Sequence, residues 1–276
     1  MAKITAAEVK SLREATGAGM MAVKRALEEA DGDQDKAAEI LRVKGETKVR
    51  ERGAERTASN GLVAAAEGAM IQLSCETDFV AKSEQFQQLA ADIVAHAAKT
   101  RTNDLAALLG EGLADGRSVQ ENIDSVAAVV GEKIELSRLI VLAGDDTQIA
   151  SYMHRRSSDL PPQIGVLVEF EGEDLDAARG TAMHIAAMKP RFVSRDEVPA
   201  DVVENERRVA EATARAEGKS EQAMPRIIEG RVTGLFKDVV LLEQDSVLES
   251  KKSVKAVLDD AGLTVRRFAL FEVGAG

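Results

Sequence analysis

From Gly61 onward the sequence runs twice through one order of elements: strand, strand, helix, helix, strand. That repetition constrains the fold more than any other feature, because two copies of one order point to two related subdomains. In the first pass, Leu62 to Ala66 and Ala69 to Cys75 flank a Glu67-Gly68 turn and read as a hairpin. A helix from Ser83 to about Ala98 follows, with Phe86, Leu89, Ala90 and Ile93 on one side. A glycine-punctuated loop through Gly116 leads to a helix from Ser118 to Val130 and a strand from Ile134 to Ala143. The second pass has strands at Ile149 to His154 and Ile164 to Phe170, helices at Asp174 to Met188 and Lys252 to Asp260, and a closing strand at Thr264 to Val273. The expected fold class is α+β with antiparallel sheets, its two subdomains occupying 53–144 and 145–276.

Ahead of the repeat lie three short helices separated by glycines, read as a module over 1–52 that includes a linker. Thr5-Ala6-Ala7-Glu8 has the spacing of a capping box, so the first helix begins there. Val9 and Leu12 share its face before Thr16-Gly17-Ala18-Gly19 stops it. Met20, Val23 and Leu27 form the stripe of a second helix closed by Gly32, and Asp33 caps a third with Ala37, Ile40 and Leu41. Gly45 is expected to end that helix, and the charge-dense run from Glu46 to Arg56 reads as a partly helical linker. Within the second subdomain, Val202, Val209 and Ala216 recur at heptad spacing, and Met224, Ile228, Val232 and Leu235 form a returning stripe. These predict an antiparallel helical hairpin at about 197–236, with Pro225 in the first turn of its second arm.

Composition excludes several function classes. A net charge of −11 leaves no generalised basic surface for direct nucleic-acid binding. No apolar run approaches the roughly 20 residues of a membrane span. The start leads straight into a charged amphipathic pattern, and the single cysteine, Cys75, permits no internal disulfide, so the expected location is the cytoplasm. Gly17-x-Gly19 resembles a dinucleotide fingerprint, but it follows a helix and Ala22 occupies the third glycine position. Asp31, Asp33 and Asp35 imitate calcium-loop ligands, yet Lys36 stands where the turn glycine belongs and Arg42 where the bidentate glutamate belongs. His96, His154 and His184 lie on separate elements, and Cys75 beside Glu76 and Asp78 has the wrong electrostatics for a thiolate nucleophile. No catalytic set, metal site or cofactor site emerges.

The unusual stretch is Thr77-Asp78-Phe79-Val80-Ala81-Lys82, between a strand and the next helix. Thr77 or Asp78 is able to cap that helix with Phe79 folded inward. Equally, a carboxylate beside a large ring at a strand-to-helix loop suits insertion into a partner. Geometry read from sequence leaves both open.

At these residues the chain resembles a known family. Leu12-Arg13-Glu14-Ala15-Thr16-Gly17-Ala18-Gly19-Met20-Met21, with Lys24-Arg25-Ala26-Leu27, resembles the N-terminal signature of bacterial elongation factor Ts. Cys75-Glu76-Thr77-Asp78-Phe79-Val80-Ala81-Lys82 resembles its second signature. The likeness continues through Tyr152-Met153-His154, Ile164-Gly165-Val166-Leu167-Val168, His184-Ile185-Ala186-Ala187, Glu229-Gly230-Arg231 and Phe271-Glu272-Val273-Gly274.

The resemblance implies a ubiquitin-associated-like N-terminal domain, two related core subdomains and a coiled-coil hairpin. It also implies guanine-nucleotide exchange on elongation factor Tu, without covalent chemistry or a cofactor. Asp78 and Phe79, with Thr77 and Val80, would enter the GTPase domain and disturb its Mg²⁺ network. Arg13, Thr16, Gly17, Gly19, Met20 and Met21 would form the N-terminal grip. His154 would be a further partner contact, or a structural histidine at a strand end. Apart from the resemblance, the thinly apolar arms of the helical hairpin read as a surface for a partner or for self-association, or as a solvated spacer. The sequence departs from the family at Ala22 and Val23, where many members carry aspartate and cysteine, and in the polar insert Arg155 to Pro162. It ends after Phe271-Glu272-Val273-Gly274, where some members add a helical module, so that module's contact is expected to be absent or replaced.

Overall fold

The computed structural model describes residues 4–16, 18–52, 56–142, 144 and 147–274, with the backbone alone for 45–52. It divides into two compact units, one of Met1–Ala143, Met153–Gly165 and Phe271–Gly276, the other of Gly144–Tyr152 and Val166–Leu270.

The first unit opens with α1 (Ala6–Thr16), α2 (Met20–Glu29) and α3 (Gln34–Arg52). The capping box forms as its spacing predicts: Thr5 N–H donates to Glu8 Oε2 at 2.7 Å and Glu8 N–H to Thr5 Oγ1 at 3.3 Å. Helix α2 ends in a Schellman turn, in which Gly32, at φ 90°, donates its N–H to Leu27 O at 2.9 Å. Asp33 then caps α3 by accepting from the Asp35 and Lys36 N–H groups, both at 3.1 Å, so this acidic run is a helix start. Leu12, Val23, Leu27, Ala37 and Leu41 form the small core.

Strands β1 (Asn60–Ala66) and β2 (Ala69–Cys75) are joined by Glu67 and Gly68 at φ 42° and 85°, the paired positive φ of a type I′ hairpin. After β2 come α4 (Asp78–Lys82), α5 (Glu84–Thr100), α6 (Leu105–Gly110), α7 (Val119–Val130) and β3 (Ile134–Val141). The sheet runs β1-β2-β3, antiparallel, with Leu62 opposite Leu73 and Ile71 opposite Leu139. Strand β2 is buried along its whole length, and Ile71, Leu73 and Cys75 share a core with Phe86, Leu89 and Ile93 of α5 and Ile123 of α7.

Two expectations are corrected here. The segment before Gly116 is not all loop, because Asp104 accepts from Ala107 N–H at 2.7 Å and starts α6. Gly45 does not end α3, which continues to Arg52. An interior glycine costs a helix about 1 kcal/mol, and α3 has a compensating neighbour, since it packs along α7. The N-terminal helices are therefore seated on the first sheet's helical layer: Ala22, Ala26 and Leu41 line a small cavity with Val129 and Val130. Of the expected linker, residues 53–55 lie outside the described residues.

The second sheet comprises β4 (Gln148–His154), β5 (Ile164–Glu171) and β6 (Thr264–Glu272), again with its second strand in the middle. Helices α8 (Leu175–Met188), α9 (Ala200–Ala216), α10 (Met224–Val239) and α11 (Val254–Asp260) fill the connection between β5 and β6. Helices α9 and α10 pack on one another as a hairpin turned at Gly218, φ 71°, and Pro225 falls in the first turn of α10. The seam of α9 differs from the heptad reading. Val209 is exposed, while Ala210 and Ala214 are the buried positions, because two alanines allow a close approach that valine would obstruct. The architecture is α+β, and among the described residues no helix is long and apolar enough to cross a membrane.

Candidate functional site

The exit of β2 is pinned from several sides. Glu76 accepts from the Arg56 guanidinium at 3.0 Å and from Lys133 N–H at 2.7 Å. Thr77 donates its N–H and its hydroxyl to the two oxygens of Glu132, at 3.0 and 2.7 Å. The same hydroxyl accepts from Val80 N–H at 3.4 Å, making Thr77 the N-cap of α4. Burial pushes the Glu132 carboxyl up, and the Thr77 bonds oppose that shift. Helix α4 is only five residues long. It turns Val80 and Ala81 into the core, so the helical period leaves Asp78 and Phe79 facing water. Cys75 just behind them is sealed; burial first, and then the nearby Glu132 carboxylate, push its thiol up to about 12. A nucleophilic cysteine is incompatible with that environment.

Phe79 meets the N-terminal helices. The Arg13 guanidinium of α1 lies 4.2 Å from the centre of the Phe79 ring, within cation–π range. Around this pair is a groove of about 590 Å³, lined by Val9, Lys10, Arg13, Met20, Met21 and Phe79 among others. Met20, Met21 and Phe79 are 57%, 60% and 39% exposed, an unusual concentration of large apolar surface in a chain so poor in aromatics. Arg13 Nε is buried without a hydrogen-bond partner.

Asp78 has a different neighbourhood. Lys82, one turn further along α4, holds its ammonium 3.0 Å from Asp78 Oδ2 and 2.7 Å from Asp159 Oδ2. Asp159 belongs to the polar loop between β4 and β5, where the Ser157 hydroxyl also bonds it. The Lys82 ammonium, and after it the Ser157 hydroxyl, lower the Asp159 carboxyl to about 2.

The structure therefore gathers Arg13, Met20, Met21 and Phe79 at one groove, with Asp78 beside Phe79 on α4. It does not place every expected residue there. Thr16 is buried, its hydroxyl donating to Leu12 O at 2.6 Å, and Val80 is 1% exposed, so both hold the site from behind. Gly19 is the N-cap of α2 at an ordinary φ of −61°, and Gly17 lies outside the described residues. His154 ends β4, where its carbonyl accepts from Gln163 N–H at 2.9 Å, and it does not line the groove. Sequence reasoning missed Lys82 and Asp159 as a pair, since a loop without periodicity gives no hint of what it touches. Val9 packs against the small N-terminal core, as its place on the Leu12 face implies, and it also borders the groove beside Arg13, one turn further along α1.

Comparison with known proteins bears on the same residues. The family model described as Elongation factor TS matches residues 76–275. Curated relatives named Elongation factor Ts include one from Nocardioides sp. (strain ATCC BAA-499 / JS614), 58% identical over 275 residues and covering 100% of both chains. Another, from Nocardia farcinica (strain IFM 10152), is 57% identical over 277 residues and covers 99% of each. A third, from Mycobacterium tuberculosis (strain ATCC 25177 / H37Ra), is 56% identical over 274 residues, again 99% of each. The chain belongs to the elongation factor Ts family of translation elongation factors.

Proposed function

We propose that this chain is a guanine-nucleotide exchange factor for elongation factor Tu, the GTPase that delivers aminoacyl-tRNA to the ribosome. The observation that carries the reading is the meeting of Phe79 with Arg13, Met20 and Met21 at one groove. Exposed apolar side chains with room beside them are what a partner buries to gain affinity. Phe79 wedges into the GTPase domain, and Asp78 brings a carboxylate towards the network around the GTPase's Mg²⁺. The metal neutralises phosphate charge on the bound nucleotide, so disturbing its coordination loosens GDP. The rest is linkage: a partner that prefers the nucleotide-free GTPase weakens GDP by the factor by which GDP weakens the partner. Abundant GTP then displaces the factor, and no covalent step is needed.

In this reading residues 1–52 act as a ubiquitin-associated-like grip, 53–144 carry the wedge, and 145–276 supply a second contact surface that includes His154. The α9–α10 hairpin is a coiled coil available for self-association, and the protein works in the cytoplasm. Release of fluorescent GDP from elongation factor Tu tests the central claim. The chain should accelerate release to a saturating rate, and an unchanged rate at saturating chain overturns it. Asp78→Asn should slow release most at millimolar Mg²⁺, and the difference should shrink when the metal is chelated; overlapping curves throughout the series would remove Asp78 from the mechanism.

A further inference from the structure

Helix α4 carries one ammonium beside two carboxylates. Left to themselves, Asp78 and Lys82 are an i,i+4 pair whose charges cancel. Asp159 changes that balance: its contact with Lys82, at 2.7 Å, is shorter than the 3.0 Å contact made by Asp78. The loop that brings Asp159 there is held at several points. Leu160 N–H donates to Ser157 O at 3.2 Å, Val63 N–H of β1 to Pro162 O at 2.8 Å, and the Arg156 guanidinium to Glu272 at 2.6 Å. All of these groups lie within the first unit, as α4 does.

We propose that Asp159 is a positioning residue for the exchange site: by sharing Lys82 between the 155–162 loop and α4, it leaves the Asp78 carboxylate only partly compensated and so more available to the partner GTPase. This inference rests on the exchange reading above. The trio carries a net charge of −1 where the isolated pair would carry none. The Asp159 carboxyl stays ionised across the neutral range, as its depressed titration indicates. The loop's function is thus electrostatic, and it reaches the partner through Lys82 and Asp78.

The test is stopped-flow release of fluorescent GDP from elongation factor Tu at millimolar Mg²⁺, using the full chain and its variants at low and high salt. Asp159→Asn should slow release by about two- to fivefold at low salt, the scale expected for exposed ion pairs. The difference should shrink at high salt, because exposed charges are screened. Asp159→Glu should restore the rate, and Asp159→Asn should be silent in a Lys82→Gln background. Thermal melting of each variant separates these effects from a loss of fold. An Asp159→Asn curve that overlays the parent overturns the inference, and so does equal slowing with and without Lys82 or at every salt concentration. A parent chain that fails to accelerate release overturns the exchange reading itself, a result distinguishable from the others.

Discussion

Strands β2 and β5 are both middle strands, and each leads into a long helix, but they reach those helices by different routes. After β5 the chain turns within three residues: Gly172 takes φ 118°, and Asp174 caps α8 by accepting from Ala177 N–H at 2.9 Å. A Cβ at Gly172 would stand 2.5 Å from Leu263 Cδ2 and 2.7 Å from Gly262 O, so packing dictates that turn. After β2 the chain instead inserts the five residues of α4, capped by Thr77 at one end and closed at the other by Ser83, the cap of α5. Phe79 is exposed only because this extra turn exists. Two sheets with the same placement of strands differ at this connection, and the one with the inserted turn is the one with the groove.

The largest expected effects ask whether the two scaffolds are equivalent. Phe86 of α5 and Phe170 of β5 are both fully buried, and Phe86→Ala or Phe170→Ala should each cost about 3–5 kcal/mol in denaturant unfolding. Markedly unequal costs would show that one sheet depends on its aromatic far more than the other. Phe79→Ala sharpens the contrast: it should cost about 1 kcal/mol or less of stability, as an exposed side chain does, yet slow GDP release by at least about tenfold. A large loss of stability with unchanged release would make Phe79 a core residue.

The connections come next. Gly172→Ala forces a side chain into a positive-φ turn with no space for it, so about 2 kcal/mol should be lost in thermal or denaturant unfolding. Thr77→Ala removes the cap of α4 at about 1 kcal/mol, and Thr77→Ser should recover most of it. If the two glycine and threonine variants were equally mild, the β5 turn would be less constrained than its packing implies.

The smallest effect is a slope with pH. His184 of α8 is buried, with Nε2 2.9 Å from Gln244 Oε1 and Nδ1 accepting from Val247 N–H at 3.4 Å, which suits the neutral ring. Burial lowers its titration below the ordinary 6.5. Below pH 6.5 the unfolded chain binds a proton that the folded chain does not. Stability is therefore full above that value and falls as the pH drops towards the folded value, by at most about 1.4 kcal/mol per pH unit. His184→Gln should flatten this part of the profile in pH-dependent melting.

Much of the fold was legible where chemistry is local. The Thr5–Glu8 box, the Glu67-Gly68 turn and the short apolar run of β2 each need only neighbouring residues to specify them. What escaped depended on distant partners or on segments too short for a period. Helix α4 spans barely more than one turn, and α6 hid among glycines. Gly45 was an adequate stop signal until α7 supplied a surface along which α3 could continue. The site shows the same division. Its residue types were visible in two motifs, but the stacking of Arg13 on Phe79 and the reach of Asp159 to Lys82 are tertiary facts. Thr16 and Val80 sit inside those motifs for structural reasons, since a motif contains both what touches a partner and what holds it in place.

The sealed thiol of Cys75 makes the molecule its own reporter. It is the only cysteine in the chain, and it closes the central strand of the first sheet. An alkylating reagent can reach it only when that strand opens, so the rate of its modification measures the opening of β2, without a label or an engineered probe. The same silence gives a clean background for chemistry elsewhere: a cysteine introduced on the surface would be modified alone, and its environment followed as a partner docks.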